Sequence, residues 1–286
     1  MSNTQKNKIV YLHIPKTGGA AMQYYFYDQV KHLRNYFLSF FGHDDSRFFE
    51  DERSTKGTNH CLIEAIHKNP KILEKFKSSV HFDECSLLFG HTTVAIESLF
   101  PEYNFQYLTV IRDPIERTIS NIIQFTKPIK DSNNSSFARY TIDADKYSIE
   151  FWNQMYEILE KKLYLNNLLV HECCYLSNCM TRVLAGDEYL VNSANTNIDQ
   201  ARINIASKNI KIGYYHKFNI SLQKCLDHYN IPINMSKNYK AKGGEPEPNK
   251  FKSQFGKYYG ATEAVIDWVI KNNMDDITIY KELTNE

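Results

Sequence analysis

The opening of the chain limits its fold more than any other feature does. Residues Lys8–His13 (KIVYLH) form a short apolar segment with the character of a buried strand, and a Pro- and Gly-bearing loop follows at Ile14–Gly19. Apolar residues then recur with helical spacing from Gly19 to Leu33. A strand, a glycine loop and a helix in this order are typical of the start of a nucleotide-type α/β domain.

The same alternation of strands and helices continues along the chain. Further strands are predicted at Ser86–Gly90, Phe105–Arg112 and Ile210–His216. Helices are predicted at Cys61–Lys77, from Asp113 to Phe125, at Tyr147–Leu184 with at most one break, at Asn197–Ser207, Phe218–Tyr229 and Ala261–Asn272, and in a short segment that ends near Leu283. We therefore predict one α/β domain over residues 1–286, a P-loop NTPase-like three-layer fold in which helices flank a central parallel sheet.

The charge balance limits the partners that such a domain can have. Lys and Arg total 34 and Asp and Glu total 33, so the formal net charge is +1. Any anion site must therefore be a local cluster, and no nucleic-acid partner is expected. No apolar run reaches the roughly 20 residues of a membrane span, and no signal core precedes the first strand. We predict a cytoplasmic protein without a transmembrane segment, and the oligomeric state is left open.

The six cysteines lie at positions 61, 85, 173, 174, 179 and 225, and no CxxC pair occurs. This spacing does not fit the disulfide framework of a small secreted domain. His171, Cys173, Cys174 and Cys179 are close enough in sequence to form a zinc site. We favour the alternative that these cysteines are small buried hydrophobic residues of a helix, and no metal site is predicted.

The first motif with chemical meaning is the loop Lys16-Thr17-Gly18-Gly19. Glycines between a strand and a helix let the backbone approach an anion, and the first N–H groups of the helix then point at it. Lys16 adds a full positive charge and Thr17 adds a hydroxyl. The lysine precedes the glycines, so the loop is not a standard Walker sequence. The alternative interpretation is a plain tight turn with a surface lysine.

A second motif begins where a predicted strand ends. Arg112 closes that strand, and Asp113 with Pro114 carries the residue types that begin a helix. Ligands of open α/β sheets bind beyond the carboxyl ends of the strands. Arg117 and Ser120 share one helical face, and a guanidinium with a hydroxyl suits a second phosphate site. The alternative is a capped helix whose Arg117 pairs with Asp113 one turn away, and both can hold together.

Together these two motifs resemble those of the carbohydrate sulfotransferases that use 3′-phosphoadenosine 5′-phosphosulfate (PAPS), namely sulfotransferase family 2, the heparan 2-O-sulfotransferase-like group of bacterial type. The likeness covers most of the chain. It includes the Gly-His element at Phe89–His91, the segment Asn178–Gly186, the strand residues Ile212–Tyr214 and the C-terminal segment Asn273–Ile277.

The resemblance implies a role for each matching residue. Lys16, Thr17, Gly18 and Gly19 would hold the 5′-phosphosulfate, and Arg112 and Ser120 would hold the 3′-phosphate. Residues 34–60 and 127–146 match nothing in the family and are interpreted as insertions on the acceptor side. The Gly-, Pro- and Lys-bearing loop at 234–257 is interpreted as flexible, and its Lys240 and Lys242 either cover the cofactor or are simply solvated.

The implied reaction moves a sulfuryl group from PAPS to a hydroxyl of a carbohydrate acceptor. A neutral imidazole suits the removal of the acceptor proton, so His91 is the predicted general base and Lys16 the predicted stabiliser of the leaving oxygen. His13 is interpreted as packing or loop support. Two alternatives stay open, a P-loop small-molecule kinase and a nucleotide-binding protein without catalysis. No metal cofactor is expected.

Overall fold

The computed structural model describes residues 6–19, 22, 37–40, 70–78, 80–128, 140–163, 175–186, 196–235 and 256–285. The chain divides into two compact units, the first made of residues 1–111 and 180–237 and the second of residues 112–179 and 238–286. The single domain over residues 1–286 stays a prediction.

Within the described residues, the strands are β1 (Lys6–Leu12), β2 (Phe37–Phe40), β3 (Leu87–Gly90), β4 (Tyr103–Ile111), β5 (Thr126–Pro128), β6 (Tyr140–Ile142) and β7 (Lys211–Tyr214). The α-helices are α1 (Lys71–Ser78), α2 (Val80–Glu84), α3 (Ile96–Leu99), α4 (Pro114–Phe125), α5 (Ile149–Glu160), α6 (Cys179–Ala185), α7 (Ile198–Ser207), α8 (Phe218–His228), α9 (Glu263–Asn272) and α10 (Met274–Thr284). A short 3₁₀ turn, Tyr215–Lys217, links β7 to α8.

The first unit contains a parallel sheet in the order β2-β3-β1-β4-β7. Strand β1 is central, and its Val10, Tyr11 and Leu12 are fully buried, as expected for a parallel strand that is covered on both faces. Leu12 lies opposite Gly90 of β3 and Thr109 of β4. The strands therefore present their carboxyl ends at one edge, where the residues that follow β1 and β3 come together.

Helices of the first unit cover this sheet. Helix α8 packs on β7 and β4, and α3 packs on β4. The α/β class with helices flanking a central parallel sheet is confirmed. The four predicted strands are present with ends shifted by one or two residues. Most of the predicted helix 19–33 and the first part of 61–77 lie outside the described residues, although Gly19 and Met22 are helical.

The second unit contains α4, α5, α9 and α10 and the small parallel ladder of β5 with β6. Helix α9 packs against α4 and α5, and α10 packs against α4. Helix α4 begins as predicted, because Asp113 accepts a hydrogen bond from the Glu116 N–H at 2.9 Å and Pro114 occupies the first turn.

Two expectations about irregular segments need correction. Residues 34–60 are not wholly irregular, because Phe37–Phe40 forms the edge strand β2. Residues 127–146 contain parts of β5 and β6. Local apolar spacing did not reveal these short pairings. The helical stretch predicted over Tyr147–Leu184 allowed one break, and among the described residues α5 ends at Glu160 with a turn after it, while α6 ends just before Gly186, whose φ is +138°.

Candidate active site

The loop that follows β1 is a tight, strained turn. Lys16 has a φ of +69°, and Gly18 has a φ of +94°. A lysine in the left-handed region is uncommon, and such strain concentrates at functional sites. The Thr17 hydroxyl donates to the Ile14 carbonyl at 2.7 Å, and this buried hydrogen bond stabilises the loop. The Met22 N–H then donates to the Gly18 carbonyl at 3.0 Å, and this bond starts the helix.

The two glycines of this loop are required by packing. A Cβ atom on Gly18 would lie 2.7 Å from Cε2 of Phe218, the first residue of α8. A Cβ atom on Gly19 would lie 1.8 Å from Nε2 of His13. Real Cβ atoms do not approach other heavy atoms so closely. The backbone of Gly18 and Gly19 therefore lies directly against two rings, and its first-turn N–H groups have no acceptor within the helix.

His91 follows the last residue of β3 and is 5% exposed. Its Nδ1 lies 3.1 Å from the carbonyl oxygen of His13. A carbonyl can only accept, so Nδ1 carries the proton when the ring is neutral, and Nε2 then carries a lone pair. This tautomer is the one in which Nε2 can take a proton from an acceptor hydroxyl.

His13 connects the loop and His91. Its ring is stacked on Phe89 with centroids 5.5 Å apart and lies 4.5 Å from the His91 ring. Burial, followed by the nearby His91 and Lys16, holds the pKa of His13 well below its usual value. The first unit thus brings together Lys16, Thr17, Gly18, Gly19 and His91 around a neutral buried imidazole.

Arg112 and Ser120 lie in the second unit, Arg112 just before the cap of α4 and Ser120 in its second turn. Arg112 is 4% exposed, and its Nη2 lies 2.8 Å from a Glu116 carboxylate oxygen. The same Nη2 donates to the Tyr259 hydroxyl at 3.3 Å. Ser120 is partly exposed. The carboxylate and the hydroxyl hold this buried guanidinium in a fixed position.

Two residues near Arg112 were missed by the sequence interpretation. Tyr259 is buried with a φ of +56°, and its carbonyl accepts from Trp152 Nε1 at 3.1 Å. Lys257 forms a 2.8 Å ion pair with Asp113. Partial burial disfavours its ammonium, but the hydrogen bond from Lys257 to Asp113 outweighs this and raises the pKa of Lys257. Sequence patterns gave no signal for either contact, because both partners are remote along the chain.

Arg117 fits neither of the two roles expected for it, a phosphate ligand beside Ser120 or a partner of Asp113. It is fully buried, and its guanidinium donates to the Tyr175 carbonyl at 2.9 Å and to the Thr118 hydroxyl at 2.8 Å. Asp276, also fully buried, lies 3.9 Å away. The side chain therefore neither pairs with Asp113 nor offers a surface fork for a phosphate beside Ser120. It belongs to the polar interior of the second unit.

Comparison with known proteins assigns this arrangement to a family. The sequence model described as "Sulfotransferase family" matches residues 3–144. Over this N-terminal half, the chain belongs to the sulfotransferase family. The match contains the Lys16–Gly19 loop, His91 and the Arg112–Ser120 segment. No curated protein matches the chain.

Membership makes the chain a transferase that uses a sulfate donor and an acceptor substrate. Several residues singled out in this sulfotransferase, among them Lys240, Lys242, His171, Cys173 and Cys174, lie outside the described residues, and Cys179 is a buried free thiol. Within the described part of the chain, no group of three His, Cys, Asp or Glu side chains is arranged to hold a metal ion. None of the helices described there is long and apolar enough to span a membrane.

Proposed function

We propose that this sulfotransferase transfers the sulfuryl group of PAPS to a hydroxyl of a carbohydrate acceptor. The observation that carries the proposal is the strained Lys16–Gly19 loop at the end of the central strand, within a segment that matches the sulfotransferase family. PAPS as donor and a carbohydrate as acceptor rest on the resemblance of the two motifs.

The resemblance of the two motifs assigns each of them to one anionic end of PAPS. In the first unit, the backbone of Gly18 and Gly19 and the ammonium of Lys16 are proposed to hold the 5′-phosphosulfate. In the second unit, Arg112 and Ser120 are proposed to hold the 3′-phosphate. The Thr17 hydroxyl already donates to the Ile14 carbonyl, so its proposed part is to hold the loop in the shape that binds the phosphosulfate. When bound, PAPS supplies an activated sulfuryl group.

The chain's own residues then supply proton transfer and charge stabilisation. His91, with its proton on Nδ1, can take the acceptor's proton at Nε2. The His13 carbonyl holds this tautomer and stabilises the imidazolium that results. Lys16 offsets the negative charge that grows on the leaving phosphate oxygen. Positioning and fixed charges account for the proposed catalysis, as in phosphoryl transfer.

The alternative enzyme is a P-loop kinase, and one observation counts against it. A kinase needs a carboxylate near the phosphates to hold magnesium. Asp113, the acid nearest the end of β4, caps α4 with one oxygen and pairs with Lys257 through the other. A nucleotide-binding protein without catalysis would have no use for a base-competent His91. Location in the cytoplasm remains a prediction.

Calorimetric titration separates these possibilities. Adenosine 3′,5′-bisphosphate carries both phosphates of the desulfated donor, whereas ATP carries none at the 3′ position. We expect the bisphosphate to bind at least tenfold more tightly than ATP, with no change when EDTA is present. Tighter binding of ATP with a requirement for Mg²⁺ would support the kinase and overturn the proposal.

A further inference from the structure

The ring of His13 lies between the loop and His91 in the first unit's candidate site, and so far only the His13 carbonyl has been given a part in the proposed reaction. Its ring is buried, and the space beside it is so small that only a glycine fits at position 19. Its backbone carbonyl is the acceptor for Nδ1 of His91. One residue therefore touches both the loop proposed to bind the donor and the residue proposed to act as base.

We propose that His13 is a positioning residue that locks the Lys16–Gly19 loop and the His91 imidazole into one rigid arrangement. The inference rests on the proposed function, because it gives a role in the same site to the contacts of His13 with Gly19 and His91. It is based on the close packing around the His13 ring. The ring is held on one side by the parallel face of Phe89 and on another by His91, so it has no room to move away from Gly19.

The consequence for the loop is a fixed backbone. Lys16 and Gly18 have left-handed φ angles, and such strain persists only when the surroundings determine the conformation. The Phe218 ring on Gly18 and the His13 ring on Gly19 provide that constraint from two sides. Removing the His13 ring leaves a cavity under the first helical turn and releases the Gly19 side of the loop.

The consequence for His91 is a fixed tautomer. Position 13 is held by the bond from its own N–H to the Gly90 carbonyl at 3.0 Å, so its carbonyl lies in a set place next to His91. A His13 ring that packs tightly keeps this backbone from shifting. With the ring removed, we expect the carbonyl to move relative to Nδ1 and the His91 proton to distribute over both nitrogens.

The first test exploits the contact with Gly19 in a double-mutant cycle. Gly19→Ala places a methyl group where the His13 ring lies, so it should lower the affinity for adenosine 3′,5′-bisphosphate at least tenfold. In His13→Ala/Gly19→Ala that methyl occupies vacated space, and the double variant should regain most of the loss. Gly213→Ala, whose Cβ would lie 3.1 Å from Val110, is the matched control for a crowded glycine outside the loop, and it should leave affinity unchanged.

The second test measures the tautomer of His91. Nitrogen-15 NMR of the imidazoles should show His91 as the Nδ1–H tautomer in the unmodified protein and in Gly213→Ala. In His13→Ala the spectrum should show both tautomers. A residue that only fills the core would instead lower the melting temperature of His13→Ala while the His91 tautomer and the bisphosphate affinity of the folded protein stayed unchanged.

The two hypotheses fail in different ways. If the unmodified protein bound no adenosine bisphosphate, the proposed function would be wrong, but the tautomer and the cycle measured in melting temperatures would still test His13. If the bisphosphate bound normally and Gly19→Ala were not rescued by His13→Ala, the locking role of His13 would be wrong. An Nε2–H tautomer of His91 in the unmodified protein would also overturn it.

Discussion

In the first unit, Lys16 combines a positive charge with a left-handed backbone conformation. Its left-handed φ places an ammonium-bearing residue in the loop that we propose for the 5′-phosphosulfate. Lys16→Ala removes a charge-assisted contact, which costs roughly 1.5–3 kcal/mol, or about ten- to a hundred-fold in affinity for adenosine bisphosphate. Calorimetry measures this loss of affinity, and Lys161→Ala, at an exposed lysine, is the control. Equal affinities for both variants would remove Lys16 from the site.

Arg112 has to be tested together with Glu116, because the two form a buried ion pair. Arg112→Ala alone breaks this buried ion pair, and we expect a marked loss of stability as well as of bisphosphate affinity. Arg112→Ala/Glu116→Gln removes the carboxylate charge of the pair as well. The double variant should melt at a higher temperature than Arg112→Ala while its affinity stays at least tenfold below that of the unmodified protein. Restored affinity would show that Arg112 does not contact the phosphate.

His91 is expected to affect turnover and not donor binding. His91→Ala removes the proposed general base, and positioned bases contribute about 10²–10⁴ in rate. The affinity for adenosine bisphosphate should remain within about twofold, since the base does not hold the donor. Transfer from PAPS to a carbohydrate acceptor, measured beside a melting curve, tests this. A folded variant with normal turnover would leave the base unassigned.

At the scale of elements, α4 joins the proposed anion site to the interior of the second unit. The Asp113 cap and Pro114 begin this helix, and its first turn buries Arg117. Asn273, at the junction of α9 and α10, donates to the Leu176 carbonyl at 3.0 Å and accepts from the Asn178 N–H at 2.9 Å. The C-terminal segment that resembles a family motif is therefore part of the packing of the second unit.

Arg117 gives a prediction at this scale. Arg117→Met removes the guanidinium that lies 3.9 Å from the fully buried Asp276, and breaking such a buried pair costs about 3–5 kcal/mol of unfolding free energy. The matched change Arg202→Met breaks an exposed pair with Asp199 and should cost less than about 1 kcal/mol. Thermal melting compares the two. If Arg117→Met kept its melting temperature but lost bisphosphate affinity, the earlier interpretation of Arg117 as a phosphate ligand would return.

At the scale of the whole molecule, His13 links stability to pH. Its pKa is well below the usual 6.5 in the folded chain, because burial, His91 and Lys16 all disfavour its charged form. Below about pH 6.5 His13 binds a proton in the unfolded chain but not in the folded chain. The free energy of unfolding therefore falls as the pH decreases. Above that pH both forms are neutral and His13 contributes no pH dependence.

The matching experiment compares melting temperatures at pH 7.5 and pH 5.5. His13→Leu replaces the ring with an apolar side chain that cannot titrate, so its melting temperature should fall less between the two values than that of the unmodified protein. His228→Phe removes an exposed imidazole of α8 and serves as control. An equal decrease for His13→Leu and the unmodified protein would show that His13 does not resist protonation.

The sequence by itself determined the features that depend on neighbouring residues. The alternation of strands with helices along the chain predicted a parallel sheet, because parallel neighbours need a crossover connection, which a helix supplies. The Asp113–Pro114 pair fixed the start of α4 because a helix cap is a contact between residues three positions apart. The loop motif likewise indicated an anion site, since the chemistry of its residues is local.

Only the tertiary structure decided which residues meet across long distances in the sequence. Arg112 and Tyr259 are separated by 147 positions, and Arg117 and Asn273 by 156. No local pattern encodes such contacts, because they depend on how helices pack once the backbone has folded. The same holds for His13 and His91, which are 78 positions apart and become neighbours only because β1 and β3 pair in parallel register.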